Sequence, residues 1–336
     1  MKKLLLALLC AALCLPAAFA EDGSITFFAM DTVMSVRADE ADETLLRQCE
    51  TAIEALEARL SVTRETSEIS ALNRERAAAL SPDTEALLSY ALRMCEETDG
   101  ALDITLYPII RAWGFTTNEF RVPAPEELEA LLPLVDYTRV ECANGSAALP
   151  DGVMIDLGSV AKGLASDVLA DLLRNGDCSS GLIDLGGNLY CVGAKPDGSF
   201  WRVGVRDPRM EESYCAVVQL ADQAVVTSGQ YERYFMDDDG TVYGHIFDPK
   251  SGRPVQNAMQ SVTIIGNSGL ECDALSTALF VMGRQNACAF LQEHTDVEAI
   301  LIEDDTFYVT KGLKNRFQPA GDLAGADVNW IEREGA

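Results

Sequence analysis

Three charged residues between Met154 and Lys195 have the types and spacing that could do chemistry. Asp156 ends one apolar segment, Lys162 stands near the start of a helical pattern, and Asp184 ends a second apolar segment. The apolar residues after Gly163 recur at helical spacing, so this stretch predicts strand, glycine turn, helix, strand and a second glycine turn. A lysine at a helix start that faces a strand-end carboxylate is what a polyanionic ligand with a metal requires. We therefore predict a polyanion site at these joints.

Two further oxygen ligands lie four residues apart in a later apolar helix, predicted over residues 271–282. Asp273 and Thr277 share one face of that helix. A carboxylate and a hydroxyl one turn apart are hard ligands, which suit Mg²⁺ or Ca²⁺ better than zinc. The alternative is that Asp273 caps the helix and Thr277 only fills space. The pattern by itself leaves both interpretations open.

The chain has two histidines, of which His245 is better placed to act as a base. It lies in a predicted strand, shortly before a turn that contains Lys250 and Arg253, whereas His294 lies in a polar stretch typical of the surface. Imidazole titrates near neutral pH and suits general-base catalysis. A structural histidine would fit the same pattern. A serine hydrolase is not favoured, since no G-x-S-x-G motif occurs.

Several common nucleotide and metal motifs are absent. Gly158 and Gly163 are spaced as in a P-loop, but Leu164 stands where that motif needs lysine. No G-x-G-x-x-G follows a predicted strand, which excludes a Rossmann dinucleotide fingerprint. Residues 237–240 lack the alternating ligands of an EF-hand and are better interpreted as a solvated turn.

Helical and strand patterns alternate along the chain without a linker, a composition break or an internal repeat. Helices are predicted over residues 42–60, 67–73, 81–100, 271–282 and 285–293. Strands are predicted over 24–38 with a break at Asp31-Thr32, 153–157, 182–184, 200–207, 214–220, 224–227, 261–266, 299–303 and 306–309, with a hairpin over 231–247. One compact α+β unit is therefore expected.

An apolar segment, residues 101–115, ends in Arg111-Ala112-Trp113-Gly114. A glycine after the tryptophan lets the backbone come close to whatever packs on the indole. The alternative is that Trp113 belongs to the core.

The first 20 residues have two lysines, an apolar run and a small-residue end at Ala18-Phe19-Ala20, the pattern of a secretory signal peptide. We predict that the chain is exported to the periplasm or the outer face of the cytoplasmic membrane, and that residues 21–336 form one domain. Cys10 and Cys14 raise the alternative of a lipoprotein tethered to a membrane. Against it, leucine precedes each cysteine where lipid attachment needs a small residue.

The formal net charge is −27, which predicts repulsion of nucleic acid and of anionic lipid. A polyanionic substrate must therefore be attracted by a local cationic site. Eight cysteines remain after the predicted signal peptide, without a CxxC pair or a zinc-like spacing. We expect most of them to be small buried residues. Disulfide pairing stays open, since export would permit it.

Eight segments of the chain together resemble the ApbE family of FAD:protein FMN transferases. They are MDTVMSV from Met30, SEISALN from Ser67, LYPIIRAWGF from Leu106, IDLGSVAKGLASD from Ile155, LIDLGGNLYCVGAKPDGSFWRVGVRDP from Leu182, TSGQYERYF from Thr227, HIFDPKSGRPV from His245 and CDALSTALFVMG from Cys272. They occur in the family's order over nearly the whole chain.

The resemblance implies a single T-fold-like unit of mixed, largely antiparallel sheets with packed helices. It also implies that FAD is the substrate and that a divalent cation, Mg²⁺, lies on its pyrophosphate. FMN would then pass through a phosphoester to a threonine or serine hydroxyl of a target flavoprotein, with release of AMP. The expected partner is an acceptor flavoprotein of an extracytoplasmic redox complex.

The resemblance also assigns roles to individual residues. Flavin-nucleotide contacts fall on Met30, Ala112, Trp113, Gly114, Asp156, Lys162 and His245. Metal ligands fall on Ser159 through its backbone carbonyl, Asp273 and Thr277, and catalysis on His245 as the base and Asp273. Asp184 becomes a scaffold residue in a turn. Two positions depart from the family, Asp31 where glycine is common and Thr63 where an aromatic residue often contacts the flavin.

Two other functions are kept as alternatives. One is a metal-dependent FAD pyrophosphatase that yields FMN and AMP, since the family includes proteins that mainly split FAD. The other is a non-catalytic exported flavin-binding protein. The joint presence of Lys162, His245 and Asp273 argues against the second, because binding alone needs no base.

Overall fold

The computed structural model describes residues 19–21, 23–210 and 213–333 of the chain. All but the last two residues of the predicted signal peptide, residues 1–20, lie outside the described residues. The strands are β1 Phe19–Glu21, β2 Ser24–Ala29, β3 Thr32–Ala38, β4 Ala77–Ala79, β5 Glu141–Ala143, β6 Ser146–Ala148, β7 Gly181–Asp184, β8 Leu189–Val192, β9 Trp201–Arg206, β10 Tyr214–Leu220, β11 Gln223–Gly229, β12 Tyr234–Met236, β13 Val242–Gly244, β14 Phe247–Asp248, β15 Arg253–Pro254, β16 Met259–Gly266, β17 Glu298–Glu303, β18 Thr306–Thr310, β19 Phe317–Pro319 and β20 Val328–Ile331. The helices are α1 Glu43–Leu60, α2 Glu68–Glu75, α3 Pro82–Glu97, α4 Tyr107–Ala112, α5 Pro125–Leu131, α6 Gly158–Asn175 and α7 Gly269–Glu293.

A ten-stranded sheet runs through the molecule in the order β1-β2-β3-β7-β8-β11-β16-β17-β18-β20. Neighbouring strands are antiparallel except for the parallel pair β18 and β20. Helices α1, α6 and α7 pack on one face and bury a large apolar core. A second sheet, β19-β10-β9, covers the other face of β11, β16, β17 and β18. The predicted α+β unit with mainly antiparallel sheets is confirmed.

The long helices follow the sequence pattern closely. Asp42 caps α1 by accepting the Leu45 N–H at 2.8 Å, as expected of an aspartate just before an amphipathic segment. The two helices predicted over 271–282 and 285–293 form the single element α7, which is interrupted at Gly283 with φ +72°. No helix of the described residues has the length and apolar content needed to cross a membrane.

The strand predicted over residues 153–157 is wrong, since the described structure assigns no strand there. The backbone of this segment instead bonds to the buried side chain of Asn73 and to the backbone of Ile104. Asn73 Oδ1 accepts from the Ile155 N–H at 2.7 Å, and its Nδ2 donates to the Ile155 carbonyl at 2.8 Å. The Asp156 N–H donates to the Ile104 carbonyl at 2.8 Å. The segment is fixed by these contacts rather than by a sheet.

The eight cysteines among the described residues are free, and six of them are buried. They therefore act here as small core residues.

Candidate functional site

Helices α6 and α7 pack against each other at two glycines. A Cβ on Gly163 would clash with the Gly269 carbonyl and lie 2.6 Å from the Cβ of Asp273. A Cβ on Gly269 would clash with Ser166 Oγ and lie 2.8 Å from the Gly163 carbonyl. Because neither position has room for a side chain, the two helices meet at backbone distance. This contact brings Asp273 of α7 against the first turns of α6.

The three predicted metal ligands lie around this helix contact. Buried Asp273 accepts the Gly163 N–H through Oδ2 at 2.8 Å. Ser159 lies four residues before Gly163 in α6, and in a regular α-helix its carbonyl is directed towards that same N–H. Thr277 lies one turn further along α7, and within the described part of the chain the hydrogen bonds of its Oγ1, to Ser228 Oγ and to the Asp273 carbonyl, are both long at 3.4 Å. Hard oxygen ligands are thus gathered at one place.

The Asp273 carboxylate is held in surroundings that disfavour its charge. Burial raises its pKa, while Lys162, the Gly163 N–H and Asn188 act in the opposite direction. The buried Asn188 amide nitrogen is near enough to this carboxylate to lower its pKa, but among the described residues it makes no hydrogen bond of regular geometry. A buried carboxylate needs a cation nearby to remain ionised. Lys162 supplies one positive charge, and a bound metal would supply more.

The positive charge of Lys162 acts on two carboxylates, those of Asp273 and Glu232, and lowers the pKa of both. The Glu232 side chain is exposed to solvent, and partial desolvation by the surrounding protein raises the pKa of its carboxyl group. Lys162 and Arg206 lower that pKa, whereas Asp273 raises it further. In the described residues no hydrogen bond holds the Lys162 ammonium group. Lys162 is therefore available to an incoming anion.

His245 is fixed by two hydrogen bonds to one carbonyl group. Its backbone N–H and its ring Nδ1 both lie 3.0 Å from the Arg233 carbonyl. Because a carbonyl only accepts, Nδ1 carries the proton and Nε2 is left as the basic nitrogen. The ring keeps part of its surface in solvent, and its partial desolvation, together with the positive charges of Lys162 and Arg233, lowers the pKa of His245 to about 4. The ring is thus a neutral base at neutral pH.

The predicted strand position of His245 needs a correction. Strand β13 ends at Gly244, and His245 lies in the bend between β13 and β14. The His245 N–H still bonds to the Arg233 carbonyl, the next position of the β12–β13 register, so His245 lies at the open end of the hairpin, just beyond the strand.

Asp156 lies just before α6, and its Oδ1 accepts the Gly158 N–H at 2.8 Å. Burial raises the pKa of Asp156, and the nearby Arg233 guanidinium lowers it. The same guanidinium donates to the Phe115 carbonyl at 2.5 Å. Arg233 thus joins three predicted parts of the site, namely Asp156, His245 and the segment that follows residues 112–114.

The Trp113 indole is fully buried in an aromatic cluster. Its Nε1 donates to the Gly252 carbonyl at 2.9 Å, and its ring contacts Phe235, Tyr243 and Phe247. The ring therefore belongs to the core, which confirms the alternative interpretation of Trp113 given above. A flavin contact by residues 112–114 stays a prediction.

Met30 and Asp31 form the two-residue turn between β2 and β3, with φ values of +47° and +59°. Two positive φ angles in such a turn favour glycine or short polar residues, which explains why aspartate is tolerated where the family often has glycine. The hairpin packs on the next turn, because a Cβ on Gly186 would lie 2.8 Å from Thr32 Cγ2. Asp184 caps that same turn by accepting the Gly187 N–H at 3.0 Å. This agrees with a scaffold role.

Sequence reasoning missed three residues that the structure places in this site, namely Asn188, Glu232 and Arg233. Each lies within a segment that was already singled out, DLGGN or YERYF. Their residue types are common on protein surfaces, so only their long-range contacts with Asp273, Lys162 and His245 reveal them.

The chain was compared with protein families, curated proteins and solved structures. The model of the ApbE family matches residues 30–301. The FAD:protein FMN transferase of Vibrio cholerae is 32% identical over 81% of this chain and 84% of its own length. That of Treponema pallidum is 34% identical over 77% of each chain. The crystal structure of the ApbE protein from Thermotoga maritima superposes with a TM-score of 0.81 at 29% identity, covering 89% of this chain and 99% of that one.

Proposed function

Because the chain belongs to the ApbE family, we propose that it transfers FMN from FAD to an acceptor flavoprotein. The names of its relatives state this activity for them. The finer proposal is a Mg²⁺-dependent transfer to a threonine or serine hydroxyl, with release of AMP. One observation carries it: the Nδ1 of His245 donates to the Arg233 carbonyl, which leaves Nε2 as a basic nitrogen in the electrostatic field of Lys162.

The proposed step forms one bond and breaks one. The acceptor hydroxyl oxygen bonds to the phosphorus of the FMN half of FAD, and the P–O bond to the AMP half breaks. His245 Nε2 takes the hydroxyl proton, since an alcohol is a poor nucleophile at neutral pH without a base. Lys162 stabilises the negative charge that develops on the pyrophosphate oxygens. AMP leaves with the electron pair of the broken bond.

The oxygen ligands around the α6–α7 contact fit a magnesium ion. Among the described residues no three His, Cys, Asp or Glu side chains are grouped as metal ligands. Asp273 would therefore be the single carboxylate, joined by Thr277 Oγ1, the Ser159 carbonyl and phosphate oxygens. Mg²⁺ is commonly bound in this way, through one or two carboxylates and substrate phosphates. When bound, the ion would draw charge from the pyrophosphate as the P–O bond breaks.

We place the reaction outside the cytoplasm, in the periplasm or at the outer face of the cytoplasmic membrane. The support is the signal-like pattern of residues 1–20. The acceptor would then be a flavoprotein of an extracytoplasmic redox complex. Lipidation at Cys10 or Cys14 would add a membrane tether. Labelling with a fatty-acid analogue, compared with N-terminal sequencing of the exported protein, distinguishes a lipoprotein from a chain cleaved after Ala20.

The decisive assay incubates the purified chain with FAD, Mg²⁺ and the flavin-free form of a flavoprotein that carries FMN on threonine. We expect equal amounts of AMP and protein-bound flavin, and both should disappear with EDTA. AMP with free FMN alone would instead show an FAD pyrophosphatase. FAD retained intact would show a binding protein.

A further inference from the structure

The short hairpin of β12 and β13 presents apolar side chains to solvent. Tyr234 and Met236 lie on one face of β12 and are 46% and 60% exposed. Val242 pairs with Met236 across the hairpin and is 52% exposed. We call these three side chains the hairpin patch. The hairpin patch thus places aromatic and aliphatic side chains in solvent next to the acidic turn between β12 and β13.

The opposite face of the hairpin is anchored firmly. Phe235 stacks on Tyr243 with ring centroids 5.2 Å apart, and both rings contact buried Trp113. Phe120 stacks on Phe235 at 5.2 Å while remaining partly exposed beside the hairpin. The hairpin patch is therefore displayed on a fixed support. A fixed support reduces the entropy cost of binding a partner.

The hairpin is directly continuous with the proposed base. Arg233 immediately precedes β12, and His245 immediately follows β13. The hydrogen bonds from His245 to the Arg233 carbonyl close the base of the hairpin at 3.0 Å. The proposed base therefore lies at the base of the hairpin that carries the hairpin patch.

We propose that the hairpin patch is the docking surface for the acceptor flavoprotein, a proposal that rests on the proposed function. FAD fills the space around Lys162 and Asp273, so the acceptor reaches His245 from the hairpin side. Its apolar residues cover Tyr234, Met236 and Val242. The hairpin tip carries Asp237, Asp238 and Asp239, so the acceptor surface that meets the tip is basic.

The test changes the hairpin patch without touching the chemistry. In the double variant Met236→Gln with Val242→Thr, we expect the KM for the protein acceptor to rise at least tenfold. The KM for FAD and the slow release of AMP without acceptor should change less than twofold. The variant Asp238→Lys should raise the acceptor KM several-fold and weaken its dependence on salt, because it reverses a charge that attracts the basic acceptor. The substitution should leave the fold intact, since the Asp238 side chain makes no hydrogen bond in the described residues.

A matched control exists on another hairpin. Phe28 and Val33 pair across β2 and β3 and are 61% and 62% exposed. The double variant Phe28→Gln with Val33→Thr should leave the acceptor KM unchanged. Thermal melting of both double variants checks that the fold is intact.

Three results would overturn the docking proposal. The first is an unchanged acceptor KM in the Met236 and Val242 variant. The second is an equal rise in both double variants, which would indicate a general effect of lost apolar surface. The third is a wild-type enzyme that attaches no flavin to any acceptor, and that result alone would also overturn the proposed function.

Discussion

At the scale of single residues, the tautomer and pKa of His245 decide what the site can do. The ring is held with Nδ1 donating to the Arg233 carbonyl, so Nε2 faces the reaction as a base. Partial desolvation and two neighbouring cations lower its pKa to about 4, so the ring is neutral above that pH. An imidazole in water would lose half of its basic form near pH 6.5.

This predicts a shifted acid limit for activity. The acid limb of kcat/KM should fall near pH 4 to 5 rather than near 6.5, because His245 stays neutral between these values. The stability of the fold should depend on pH through the same histidine. The unfolded chain takes up the histidine proton near pH 6.5 but the folded chain only near 4, so stability is lost as pH falls through this window.

The measurements are a pH profile of AMP release and urea unfolding at several pH values. His245→Gln should lose activity by a factor of about 10² to 10⁴, and its stability should fall less between pH 6.5 and 4 than that of the wild type. An acid limb centred on pH 6.5 in the wild type would contradict the assignment.

Asp273, which is buried, and Asp167, which is partly buried, allow a comparison of two acids at one helix contact. Asp273 faces the proposed metal, whereas Asp167 accepts N–H groups of Gly269 and Leu270 at the start of α7. Asp273→Asn should abolish the activation by Mg²⁺. Asp167→Asn should instead cost about 1 kcal/mol of stability and retain that activation. Metal titrations of AMP release and thermal melts separate the two, and a normal magnesium response in Asp273→Asn would refute the metal site.

At the scale of elements, the close contact of α6 and α7 positions the oxygen ligands. Gly163→Ala would place a methyl group against the Gly269 carbonyl and the Asp273 side chain. We expect a loss of about 1 to 3 kcal/mol in unfolding free energy and a weaker response to Mg²⁺.

The control for this substitution is Gly325→Ala, where no atom lies within 4 Å of the added Cβ and φ is not positive. Urea unfolding of both variants checks the prediction. Equal stabilities would show that the helices can separate at no cost.

The sequence was most informative where local patterns decide the element. Helix α1 and strand β10 follow their periodicity, because α1 buries one face and β10 largely alternates between buried and exposed residues. Helix α7 is buried on almost every side over residues 272–280 and was recognised from its apolar content. The segment 153–157 was mistaken for a strand because its apolar residues alternate, whereas the buried Asn73 takes its hydrogen bonds from 82 residues away. The three-residue strands β4, β5 and β6 were missed since they are too short to show alternation.

At the scale of the whole molecule, a strongly acidic chain assembles a small cationic centre. Lys162 and Arg233 act on the groups of the site from two different elements, α6 and the segment before β12. Motif types and the family resemblance pointed to Asp156, Lys162, His245 and Asp273. The sequence could not show which surface residues join them, because Glu232 and Arg233 acquire their role only through long-range packing.

The central claim is that His245 takes the proton of an acceptor hydroxyl while its oxygen attacks the FMN phosphate of FAD. The most direct test is the intact mass of the flavin-free acceptor after incubation with FAD, Mg²⁺ and either the wild-type chain or His245→Ala. The account predicts that the wild type adds the mass of FMN less one water, on a threonine or serine, and that His245→Ala still binds FAD but adds nothing. Unmodified acceptor with the wild type, or full modification with His245→Ala, would contradict it.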